Sequence, residues 1–156
     1  MKKFLILMSF ILCFFCASNN IALSVQQSRL VLVIGNFIAY DDGTVLDTKT
    51  NLMWAVKDNG SDINWNNAKK YCENYRVGGY SDWRLPTQDE LENLYKSGIR
   101  DDKGIIKITD WGCWASETRN GGFEAAYFYF HRGRRHWRSV FYDYYVRVLP
   151  VRGGQN

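Results

Sequence analysis

The sequence predicts an α+β domain, and three observations carry that prediction. Ala68, Tyr71, Cys72 and Tyr75 recur at helical spacing behind Asn64, a residue suited to capping a helix start. Thr87-Gln88-Asp89-Glu90 is a capping box, in which the Thr and Glu side chains satisfy each other's free backbone amides. From Trp111 onward the chain turns to aromatic and β-branched runs separated by Gly-rich or charged turns, the pattern of antiparallel strands. Two helices followed by a run of strands suggest two helices packed on a mostly antiparallel sheet of short strands.

In chain order, Leu30–Ile34 and Phe37–Tyr40 are short β-prone runs. Asp41-Asp42-Gly43 then turns the chain into Thr44-Val45-Leu46. After Asn51–Ala55, the polar stretch Lys57–Asp62 reads as a loop. The first helix runs from Asn64 to about Arg76 and carries Cys72 inward. The second starts at Thr87 and presents Leu91, Leu94 and Tyr95 on its apolar face. Gly112–Ser116, Phe123–Phe130, Arg135–Phe141 and Tyr144–Val151 are the later strands.

The N-terminus has the profile of an export signal: Lys2 and Lys3 precede Phe4–Ala17, an apolar run short for a membrane span. Cys16-Ala17-Ser18 and Ala22-Leu23-Ser24 are the candidate cleavage triplets, and cleavage after Ser24 is preferred. Bulky Leu12 and Phe15 ahead of Cys13 and Cys16 argue against a lipid-attachment site. A leader retained as an anchor is the alternative. The expected organisation is a signal peptide at 1–24, an N-terminal extension at 25–36 and one domain at 37–153, with the mature protein periplasmic, secreted or on the cell surface.

Lys2 and Lys3 belong to the leader, so the net charge of +4 falls to about +2 in the mature chain, and basic character must be local to matter. Two of the four cysteines also lie in the leader. Cys72 and Cys113 remain, an even count in an oxidising compartment, and are expected to pair. The alternative is two buried free thiols.

Three stretches resemble one family: Asp42-Gly43-Thr44-Val45 with Leu52-Met53-Trp54, then Gly79-Tyr80-Ser81-Asp82-Trp83-Arg84-Leu85-Pro86-Thr87, then Val148–Gly153. Their order and spacing are similar to the C-terminal domain of the Legionella collagen-like adhesin, also described as domain of unknown function 1566, with Trp114-Ala115-Ser116-Glu117 at a further matching position. The resemblance spans about Phe37 to Gly153. It implies a C-type-lectin-like fold in secreted or surface-exposed bacterial proteins, and an adhesin-like recognition of sulfated polysaccharide. The family often ends in Val-Arg-Cys-Val-Arg, where this chain reads Val148-Leu149-Pro150-Val151-Arg152. Cys72 therefore has only Cys113 as partner, a local rewiring of the family pattern. The collagen-like stalk is absent.

Read on its own residues, the middle motif is a strand-to-helix joint: Gly78-Gly79 permits a turn, Trp83 plugs the core and Thr87 starts the helix. Arg84 is expected to pair with Asp82 or Glu90 in a structural role.

The most unusual composition is His131-Arg132-Gly133-Arg134-Arg135-His136-Trp137-Arg138. With Arg132-Gly133 at a hairpin tip, alternation puts Arg134, His136 and Arg138 on one sheet face and Arg135, Trp137 and Ser139 on the other. Arg forks match paired anionic oxygens, and aromatic rings stack on sugar faces. Arg132, Arg134, Arg135, His136, Trp137 and Arg138 are thus the candidate ligand-binding residues, with an anionic polysaccharide or surface glycan as partner. Tyr127, Tyr129, Tyr142, Tyr144 and Tyr145 are candidates for the same face or for cross-strand packing. A solvated hairpin is the bland alternative, and export disfavours nucleic acid. A second class of function is structural: assembly with another envelope protein or another copy.

Catalysis finds little support. The two histidines sit together with only Asp143 near in sequence, so no Ser–His–Asp arrangement emerges. Asp41-Asp42, Asp58–Asp62 and Asp101-Asp102 lack calcium-loop spacing, and neither Glu-Pro-Asn nor Gln-Pro-Asp occurs. No metal or cofactor is expected, with calcium at one of these turns as the alternative. An oxidase-like activity, as in the formylglycine-generating sulfatase activators, would require an accessible thiolate.

Overall fold

Asp42 folds the chain back on itself by accepting the Thr44 amide (3.0 Å) and hydroxyl (2.7 Å), and Gly43 takes a positive φ of 85° in the same turn. Such local closures generate the first sheet, seen in a computed structural model that describes residues 28–98 and 104–154. The expected leader lies outside the described residues.

The first sheet has the order β1-β2-β3-β4-β9, antiparallel throughout, from β1 (Leu30–Ile34), β2 (Phe37–Tyr40), β3 (Thr44–Asp47), β4 (Leu52–Ala55) and β9 (Val151–Arg152). The second has the order β7-β6-β5-β8, from β5 (Gly112–Arg119), β6 (Glu124–Tyr129), β7 (Arg134–Ser139) and β8 (Val146–Arg147). Its one parallel pairing joins β5 to β8. The fold is therefore α+β with two mostly antiparallel sheets, where a single sheet was expected.

The expected strand at 144–151 divides into β8 and β9 because the chain changes sheets. Buried Val148, Leu149 and Pro150 make the crossing, and Pro150, which has no amide to give a ladder, accepts the Ala55 amide at 2.9 Å.

Helix α1 (Trp65–Glu73) is capped by Asn64, which accepts the Asn67 amide at 3.0 Å, and it buries Ala68 and Cys72. It ends short of Arg76 because the Asn74 side chain donates to the Lys70 carbonyl (2.8 Å) and closes the last turn. Helix α2 (Gln88–Lys96) begins at the complete Thr87–Glu90 capping box and buries Leu91 and Leu94.

Period-two alternation in the second sheet makes two cores. Cys113, Ala115, Ala126 and Phe128 face Leu91, Leu94 and the first sheet. Trp114, Ala125 and Tyr127 face Ala68 and Cys72 of α1. This geometry corrects the expected bridge: Cys72 and Cys113 are free, buried thiols. Neighbours in a strand point to opposite faces, and it is Trp114, not Cys113, that meets the side of the sheet covered by α1.

The joint between the helices is closed by one of the two ion pairs its residues suggested. Arg84 donates a fork to Glu90 (2.8 and 2.7 Å) and reaches the Gly153 carbonyl (2.8 Å). Asp82 instead pairs with Arg152 (2.7 Å), which holds its carboxyl below the ordinary range.

Candidate ligand-binding cleft

The basic hairpin is built by β6 and β7, which pair from Glu124↔Ser139 to Tyr129↔Arg134 around a turn over residues 130–133. Gly133 has a φ of +61° and lies against α2: a Cβ there would stand 2.4 Å from the Tyr95 ring. Any larger residue would be strained twice, by its backbone and by that ring. Gln88, buried at the start of α2, donates to the carbonyls of both Tyr127 (3.1 Å) and His136 (3.0 Å). Helix α2 thus splints the hairpin at its tip and at its middle.

Alternation along β7 then divides the predicted site residues. Arg135 turns toward α2 and pairs with Asp89 and Glu92. Trp137 is half-buried against the core that contains α2, with the Arg119 guanidinium 4.7 Å from its ring centroid. Neither belongs to the row of cations on the opposite face. Arg132 is exposed at the turn, and among the described residues neither it nor Arg134 meets a carboxylate.

On the opposite face His136 and Arg138 meet a set of rings. His136 stacks on Tyr127 with centroids 5.3 Å apart and 21° between planes, and stands edge-on to Tyr129 at 6.0 Å. Arg138 donates through Nε to the Tyr127 hydroxyl (3.0 Å), and its guanidinium lies 4.0 Å from the Tyr142 ring centroid. These residues, with Trp111, Tyr144 and Tyr145, line an open cleft of about 230 Å³. Trp111 is stacked on Tyr145 at 5.2 Å and 16°.

Tyr145 occupies the left-handed region at φ 55°, and its amide donates to Asp62 (3.1 Å). A bulky residue there is costly, and the hydrogen bond to Asp62 helps to hold the ring on Trp111. Trp111 was missed in the sequence. It lies just before β5, and the Gly112↔Tyr129 pairing brings it beside the tyrosines.

The cleft holds one guanidinium, fixed by a ring and a hydroxyl, with aromatic faces around it. Three acidic residues near the loop at 58–62 are occupied. Asp58 accepts the Thr109 amide and hydroxyl, while Asp62 and Asp110 both pair with Arg147. Among the described residues no group of three or more His, Cys, Asp or Glu is arranged to hold a metal; Asp101-Asp102 lies outside them.

Burial pushes the Cys72 thiol up to about 12 and Cys113 well above its ordinary value. A nucleophilic thiolate needs the opposite shift. No helix among the described residues is long and apolar enough to cross a membrane.

Fold and cleft together define an α+β domain with a preformed, aromatic, cation-bearing surface site. The Lcl C-terminal domain family matches residues 43–152, and the chain belongs to that family. No curated protein matches the chain.

Proposed function

We propose that this protein is an exported, surface-associated binding module that takes anionic glycans in the aromatic cleft. The observation that supports this best is Arg138, held by Tyr127 and Tyr142 in an open cleft walled by rings. Arg138 supplies the fork that fits a sulfate or carboxylate, Arg134 is a further cation on the same strand, and the tyrosine faces supply stacking for the sugar. Binding makes and breaks no bond. Family membership supports the adhesin-like, C-type-lectin-like reading.

The oxidase-like alternative loses ground to the buried thiols. Iodoacetamide should label neither Cys72 nor Cys113 in the native protein at neutral pH, and both after denaturation; rapid native labelling of either would revive that alternative.

The direct test is retention on heparin. The protein should stay bound through about 0.3 M salt, where loose surface attraction is already screened. Arg134→Ala and Arg138→Ala should elute earlier, and Arg135→Ala should elute with the parent. Equal retention of all four proteins would sink the proposal.

A further inference from the structure

Strand β1 contributes almost nothing to the core, although its five residues, Leu-Val-Leu-Val-Ile, are all apolar. Leu30, Val31, Leu32, Val33 and Ile34 are 43–63% exposed, on both faces of the sheet. One edge of β1 pairs with β2, and among the described residues the other is the free edge of the sheet. Natural edges are usually short, charged, interrupted by proline or covered. The molecule follows that rule at its other three edges. β8 and β9 have two residues each, and β7 carries Arg134, Arg135 and Arg138. β1 has no charge and no proline, only a register shift between Leu30 and Leu32. It also precedes the family match, which begins at residue 43.

We infer that β1 is a self-association strand, and that two copies of this chain pair edge to edge through it in antiparallel register. An uncharged strand is self-complementary: turned about a two-fold axis near Leu32, it sets apolar residues against apolar residues and no charge against its like. The exposed halves of five side chains amount to on the order of 400 Å² per copy, an upper limit on what edge pairing covers and about half of what a stable partner contributes. The dimer is therefore weak and concentration-dependent. A bilayer is a poorer occupant, because Asp41 and Asp47 stand near Arg29 and Lys49 at the ends of the strand, in place of the basic fringe that anionic lipid attracts. The inference does not depend on what occupies the cleft.

Sedimentation equilibrium of the mature chain, without glycan, tests it. Between about 5 and 500 μM the mass should rise from one chain toward two and stop there. Leu32→Lys and Val33→Lys should each remain one chain throughout, with unchanged melting temperature because neither side chain enters the core. Amide exchange of Leu30–Ile34 in the parent should slow at the higher concentration, a readout that needs no variant. A parent that stays single, a mass beyond two, dimers in the lysine variants, or a single chain that binds phosphatidylglycerol vesicles would each overturn the inference.

Discussion

The two faces of β7 differ by one residue of register and by everything that follows from it. Arg135 and Trp137 point toward α2, where the guanidinium is neutralised by Asp89 and Glu92 and the indole packs on the core. His136 and Arg138 point the other way, into a cleft of rings. Four arginines and two histidines in eight residues therefore do not make one basic patch. Half of the hairpin is ballast that fixes its position, and the other half is available to a ligand.

Four substitutions separate those roles. Gly133→Val should have the largest effect, costing about 3 kcal/mol of stability in chemical denaturation, because it places a β-branched residue at positive φ against Tyr95. Heparin affinity should fall with it as the hairpin shifts. Trp137→Ala should cost about 2 kcal/mol of stability by lost packing, yet leave affinity for a heparin oligosaccharide within twofold. Arg138→Ala should reverse that pattern, weakening affinity about tenfold in calorimetry with little change in unfolding, since it removes a charge-assisted contact and no core. Arg135→Ala should do least, lowering the melting temperature by less than about 3 °C, because exposed ion pairs contribute little. A loss of affinity in Arg135→Ala equal to that in Arg138→Ala would erase the distinction between the faces.

Much of this was legible in the sequence wherever the controlling interaction is local. Asn64 and Thr87 mark the two helix starts because a cap bonds three residues away. The Arg84 pairing spans only six residues. The alternation of β7 was likewise readable, because it follows from strand geometry alone.

What was not legible depends on packing between distant segments. The partners of Arg135 lie 43 and 46 residues away, and nothing near the hairpin says that α2 will cover one face of it. Trp111 joins the cleft only once β5 pairs with β6. The expected Cys72–Cys113 bridge failed for a related reason. The count of cysteines said nothing about faces, and residue 113 faces away from the side that α1 covers.

The central claim is that an anionic glycan enters the aromatic cleft and meets Arg138 there. The six tryptophan indoles give separate nitrogen-correlated proton signals, and only Trp111 lines the cleft. Titration with a heparin oligosaccharide should move the Trp111 indole and Arg138 Nε signals together and leave Trp114 and Trp137 in place. Saturable binding that moves Trp137 while Trp111 stays fixed would contradict the account.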